Sequence, residues 1–166
     1  GSLANSSLVI DTAAPTLSNF SVTPQFVKIG ASISIVFDAS ESLFQNPEVR
    51  IGNSVATLQN ATGNRYTYQY TVQNADIEGV NTVTISLEDT AHNPSTDTSS
   101  SITLDFTNPA FTITATPDPA KAGEVTVTVV ASEALRDTPV PPALTITPPG
   151  GTGSPITLTG LGNNTY

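Results

Sequence analysis

The sequence predicts an all-β protein made of antiparallel β-sandwiches in tandem, with about seven strands to a complete copy. Three observations predict it. Apolar residues alternate with polar ones at a period of two, and turn signals break the alternation about every ten residues. The composition has no Cys, Met or Trp, 13 Pro and 11 Gly as punctuation, and stretches filled by Thr, Ser, Val and Ile; that mixture favours short pleated strands and disfavours helices. Finally, the chain repeats itself. Asp11-Thr12-Ala13-Ala14-Pro15 returns as Asp105-Phe106-Thr107-Asn108-Pro109, and each is followed by alternating apolar residues, a Pro, a Lys-x-Gly turn and an Ala-Ser-Glu-x-Leu segment.

The strands of the first copy follow in order. Leu17, Phe20 and Val22 mark the first, Ile33, Ile35 and Phe37 the second, and Val49 and Ile51 the third. Ala56-Thr57-Leu58 is a short fourth, Tyr66, Tyr68, Tyr70 and Val72 a fifth, Val83, Ile85 and Leu87 a sixth, and Ile102 and Leu104 the last. Residues spaced by two share one face of a strand, so each set fills a core and leaves the alternate face wet. This is the pattern of an Ig-like sandwich without the Cys, Trp, Cys spacing of antibody domains, so packing alone joins its sheets.

Alignment of the echo sets the domain boundaries. Pro24, Lys28 and Gly30 match Pro117, Lys121 and Gly123, and Ala39-Ser40-Glu41-Ser42-Leu43 matches Ala131-Ser132-Glu133-Ala134-Leu135. Ser6-Ser7-Leu8-Val9-Ile10-Asp11 parallels Ser100-Ser101-Ile102-Thr103-Leu104-Asp105, the end of a copy. Residues 1–10 are therefore expected to be a cloning remnant, Gly1-Ser2, plus the last strand of a preceding copy. Residues 11–105 are expected to be a complete repeat and residues 106–166 an incomplete one, because Asn164-Thr165-Tyr166 falls on Asn64-Arg65-Tyr66. An incomplete sandwich exposes sheet edges, so either residues 106–166 are ordered only by partners in an assembly, or residues 3–10 of another molecule fill part of the gap in a strand-swapped homo-oligomer.

Charge narrows the partners. The net charge is −9, and Lys28, Arg50, Arg65, Lys121 and Arg136 are scattered singly. No basic patch is available for phosphates, so nucleic acid is not expected as a partner. No stretch approaches the roughly 20 apolar residues of a membrane span. The absence of Cys removes disulfides, zinc-thiolate sites and thiol catalysis together. His92 is the only His and has no nucleophile in triad context, and no glycosidase-like carboxylate pair stands out, so an enzyme is not expected.

Four segments carry a family resemblance: Asp11 to Pro15, Ala39-Ser40-Glu41, Tyr66-Thr67-Tyr68 and Asp89-Thr90-Ala91-His92-Asn93. In these the chain resembles the tandem bacterial Ig-like repeats of large adhesin-type surface and secreted proteins. It departs from them in having His92 where Gly is usual and Glu88 where a small or polar residue is common. The resemblance implies a structural or adhesive module, extracellular or at the bacterial cell surface, that spaces or presents other domains. Its implied partners are adjacent repeats of the same chain and a cell-surface protein or polysaccharide.

One constellation has chemistry to offer. Antiparallel strands alternate in direction, so the start of the first strand and the ends of the second and sixth meet at one pole. Asp11, Asp38, Glu41, Glu88, Asp89 and Asn93 converge there, and Asp11, Glu41, Glu88, Asp89 and Asn93 are the candidate ligands of a metal. Oxygen donors of this kind suit calcium, and the resemblance implies calcium that stiffens the junctions between repeats. Turn chemistry accounts for the same residues in another way: Asp11 caps a turn, Glu41 packs over the pole, and Asp89 and Asn93 bond to their own backbone. The matching junction of the second copy would use Asp105 and Glu133.

Other features read more plainly. Tyr66, Tyr68 and Tyr70 form either a core face or a sugar-stacking platform, the latter belonging to the alternative of an accessory carbohydrate-binding module of a secreted hydrolase. Lys28 beside a Gly turn reads as a solvated edge residue, with an internal amide cross-link as the sharper alternative. The sequons at Asn5, Asn19, Asn60 and Asn163 are what chance supplies in a chain this rich in Ser and Thr.

Overall fold

The computed structural model describes residues 10–116, 118, 124–135, 142–147 and 150–166. It divides into two compact units, Gly1–Phe106 and Thr107–Tyr166. Among the described residues every regular element is a strand. The strand expected at residues 3–10 lies outside the described residues except for Ile10, as do Pro117, Lys121 and Gly123 of the echo.

The first unit contains β1 (Leu17–Thr23), β2 (Phe26–Val27), β3 (Ser32–Ala39), β4 (Glu48–Ile51), β5 (Ser54–Val55), β6 (Thr57–Thr62), β7 (Arg65–Thr71), β8 (Gly79–Glu88) and β9 (Pro94–Leu104). All seven expected strands are present, and the two-residue β2 and β5 are added to them. The strands form two sheets, of order β1-β3-β7-β6 and β2-β9-β8-β4-β5. Every pairing is antiparallel except β2 with β9, where Phe26 faces Thr103 and Val27 faces Leu104.

A single buried cluster draws on both sheets. Ile33, Ile35, Phe37, Tyr66 and Tyr68 come from the four-stranded sheet, and Val49, Ile51, Val83, Ile85, Leu87, Ile102 and Leu104 from the five-stranded one. These are the period-two positions, so alternation in the sequence becomes one dry face per sheet. Phe37 stacks on Tyr66 and Tyr68 at ring-centroid distances of 5.5 and 6.1 Å. The Tyr68 hydroxyl crosses to the other sheet and donates to the carbonyl oxygen of Pro47. Burial, with the neighbouring Tyr66 second, pushes the Tyr68 pKa up to about 12.

In β1 the apolar residues Leu17, Phe20 and Val22 are spaced by three and then by two. The extra residue is a β-bulge: the register with β3 shifts between Ser18 and Ser21, and Asn19 takes a φ of 49°. Asn tolerates this left-handed conformation better than most residues. Its side chain also donates to Asp38 Oδ2 at 2.7 Å.

The second unit holds two antiparallel pairs, β10 (Phe111–Thr116) with β11 (Thr126–Ala131), and β12 (Ala143–Ile146) with β13 (Ser154–Thr157). Its hydrogen bonds copy those of the first unit at the aligned positions. Thr16 N donates to Ser40 Oγ and Ser40 N to Thr16 O, at 3.0 and 2.9 Å. Ala110 N donates to Ser132 Oγ and Ser132 N to Ala110 O, both at 2.9 Å. Ala39 N donates to Asn64 O at 2.8 Å, and Ala131 N to Asn164 O at 2.9 Å. Asp38 faces Arg65 in one unit as Val130 faces Thr165 in the other. No counterpart of β8 or β9 occurs among the described residues of this unit, and a cavity of about 140 Å³ lined by apolar side chains such as Phe111, Val129 and Leu144 opens between its strands.

Candidate functional site

At the pole where β1 begins, β3 and β8 end. The chain reaches β1 through Asp11 to Pro15, and several side chains tie this leading segment down. Ser95 Oγ donates to Pro15 O at 2.6 Å, and Asn93 Nδ2 approaches Asp11 O and Ala13 O at 3.3 and 3.4 Å. Asp11 Oδ1 accepts from Ala13 N at 3.0 Å, closing a short turn around the carboxylate.

Asp89 anchors the loop between β8 and β9. It is fully buried, the sole charged residue so placed among the described residues. Its Oδ1 accepts from the backbone N–H of Ala91 and of Asn93, both at 2.8 Å, and its Oδ2 accepts from Asn93 Nδ2 at 2.7 Å. Burial alone would raise its pKa. The hydrogen bonds from Asn93 and Ala91, helped by the nearby His92, outweigh that and hold the carboxyl below its usual value.

Asp11, Glu41 and Asp89 come together, with one carboxylate oxygen from each lying within 4.8 Å of the others. None of the ion pairs among the described residues reaches these three, since Arg50 pairs with Glu48, Arg65 with Asp38 and His92 with Glu88. Glu41 is half-buried and its carboxyl is raised above its usual value, by desolvation first and then by the charges of Asp11 and Asp89. The donors are all hard oxygens, and among the described residues no ion pair neutralises them. Both properties fit a cation of the calcium type, for which Asp11, Glu41 and Asp89 would be the direct ligands.

The remaining candidates are placed differently. Asn93 serves as a clamp between Asp89 and the leading segment. Glu88 is not part of the three-carboxylate group: its Oε1 lies 2.6 Å from His92 Nδ1, and the His92 ring packs on Phe44 at 4.4 Å. His92 has a φ of 66°, the left-handed conformation that glycine adopts without cost. Asp38 pairs with Asn19 and Arg65. In the second copy, Glu133 Oε1 is buried without a hydrogen-bond partner, and Asp105 N donates to Val27 O.

Tyr66 and Tyr68 are buried. Tyr70 is half-buried, and its hydroxyl donates to Asp76, whose Oδ1 also accepts from Ser54 Oγ at 2.7 Å. The tyrosine row is thus core and support, and it offers no sugar platform. Lys28 is exposed at its turn. Two groups escaped the sequence reading. Ser40 closes the ring with Thr16, and its signal was the echo at Ser132; the Tyr70–Asp76–Ser54 link left no signal, because its partners are far apart in the chain. A scan against protein-family models and a search of curated proteins each return no match to the chain.

Proposed function

We propose that the chain is a stretch of tandem Ig-like β-sandwich modules, non-catalytic, that spaces or presents other domains of an extracellular or surface-bound bacterial protein. The observation that carries this reading is the duplication of the same hydrogen bonds around Ser40 and Ser132, and around Asn64 and Asn164. Selection for a catalytic or binding site would have to hold only one copy of its residues. Reuse of the framework in both units favours a mechanical or spacing role, in which each module contributes length. The strand order supports the Ig-like part of the reading, because two sheets of four and five strands enclose one core. The test is the length of head-to-tail arrays, which should grow by a fixed step per copy.

In this reading calcium sits among Asp11, Glu41 and Asp89 and fastens the leading segment to the body of the module. Extracellular modules bind calcium in about the 0.1–1 mM range, so millimolar Ca²⁺ is expected to raise the thermal midpoint of the first unit. Asp11→Ala should abolish that rise. Glu41→Gln has two expected effects of opposite sign. Without metal it stabilises at neutral pH, because the raised carboxyl of Glu41 is ionised there against its neighbours; with metal it weakens the calcium response. An unchanged midpoint of the unaltered protein in millimolar Ca²⁺ would remove the metal from the account and leave the spacer reading standing.

A further inference from the structure

Near the end of β8 the first unit carries two exposed aromatic rings and an open cleft, and its spacing role uses none of them. Phe44 is 56% exposed, yet its backbone is fixed. Its N–H donates to Glu88 O at 2.9 Å, and the preceding Leu43 bridges to Asp89. The exposed His92 ring meets the Phe44 ring at 4.4 Å with a tilt of 57°, and Glu88 Oε1 lies 2.6 Å from the imidazole. Two rings braced in this way form a small platform. Neither belongs to the buried core. The alignment of the copies sets Phe44 on Arg136, so the platform is no part of the framework that both units repeat. His92 also keeps a left-handed backbone that is uncommon for a residue with a side chain. Such a conformation, kept by an exposed residue where glycine would sit without cost, points to use of the side chain.

The cleft has a volume of about 520 Å³, within the ~300–1,000 Å³ range of small-molecule sites. Glu48, Ser86 and Thr96 lie in register across β4, β8 and β9 and line it. Gln45 and Asn46, the two residues after Phe44, line it as well. Glu88 belongs to both features, since it lines the cleft and contacts His92. The side chains of Gln45, Asn46, Ser86 and Thr96 make no hydrogen bond to other described residues, so their donors and acceptors are open to a ligand.

This chemistry selects a class of ligand. Amides and hydroxyls both donate and accept, the two carboxylates accept only, and among the described residues no Lys or Arg lines the cleft. An anion is disfavoured by Glu48, Glu88 and the net charge of −9. A molecule with many hydroxyls and one apolar face suits the set. A sugar ring has this character, because its C–H face packs on an aromatic ring while its hydroxyls reach polar groups beside it. We propose that Phe44 and His92, with the cleft bounded by Gln45, Asn46, Glu48 and Glu88, bind an uncharged polysaccharide through its sugar rings. The site adds a function to the spacing role, and neither depends on the other.

The test is affinity electrophoresis of the full chain in native gels, where its net charge of −9 drives migration. The gels contain soluble arabinoxylan, galactomannan or mixed-linkage glucan as neutral probes, or polygalacturonate as an anionic one. A chelator is present throughout, so a cation at Asp11, Glu41 and Asp89 plays no part. At least one neutral polysaccharide is expected to retard the protein. Phe44→Ala is expected to weaken that retardation about tenfold, the share of one stacked ring, with the thermal midpoint nearly unchanged because the ring lies outside the core. His92→Gly removes the second ring without straining the backbone and is expected to weaken it severalfold. Val80→Ala, an exposed change outside the cleft, should bind as the unaltered protein does. Retardation that is unchanged in Phe44→Ala, or absent from every neutral gel, would overturn the site. Retardation by polygalacturonate alone would also overturn it. Any of these failures leaves the lengths of the arrays, and with them the spacer, untouched.

Discussion

Phe37→Ala is expected to destabilise the first unit by about 3–5 kcal/mol, the usual cost of emptying an aromatic site in a packed core. Phe37 is 0% exposed and stacks on the rings of both Tyr66 and Tyr68. Its neighbours are themselves held, Tyr68 by its bond to Pro47 across the sheets, so they cannot collapse into the space. Urea unfolding followed through signals of the first unit measures the change. Phe44→Ala is the control, because Phe44 is 56% exposed and loss of a surface ring away from the core costs about 0.5 kcal/mol or less. Similar midpoints for the two variants would mean that the sheets do not share one core.

Asp89→Ala is expected to give the second large effect, through the backbone. It leaves the N–H groups of Ala91 and Asn93 and the Asn93 amide without their acceptor, and three part-buried donors losing one charged acceptor together is costly. The same substitution frees Asn93 from its clamp on the leading segment. The pH dependence has a definite sign. The Asp89 carboxyl is held below its ordinary value of 3.8 in the folded protein, so the ionised form contributes stability above about pH 3.8 and that contribution is lost as pH falls through the depressed folded value. Asp76 behaves in the same way: its burial is outweighed by hydrogen bonds from Gln73, Ser54 and Tyr70. Acid unfolding of Asp89→Asn should therefore be shallower than that of the unaltered protein without being flat. Glu41 has the opposite sign, since its raised carboxyl favours the protonated fold as pH drops.

Most of the fold was legible because the core faces follow strict alternation. Ile33, Ile35 and Phe37 in β3 and Val83, Ile85 and Leu87 in β8 needed no knowledge beyond the pleat. β2 and β5 were not legible, since two residues carry no periodicity and their existence depends on the partner strand they meet. The gathering of Asp11, Glu41 and Asp89 at one pole followed from strand direction alone. The direction of the Glu88 side chain did not, because its contact with His92 depends on how the loop after β8 folds, which a sequence pattern leaves open. The Tyr70–Asp76–Ser54 link was out of reach for a related reason: only the folded loop brings Asp76 under the two hydroxyls. The alignment of the copies placed Asn164 on Asn64, and the backbone bonds from Ala131 N to Asn164 O and from Ala39 N to Asn64 O fall at those positions, though the alignment named no hydrogen bond in advance.

The most direct measurement is the length of head-to-tail arrays of residues 11–105, imaged by electron microscopy at one, two and four copies. A spacer module predicts rods that lengthen by a constant step of roughly 40 Å per copy, close to the span of the 11-residue β9 at about 3.4 Å per residue plus the joining residues. Lengths that grow only as the square root of copy number, the behaviour of domains on flexible tethers, would contradict the account.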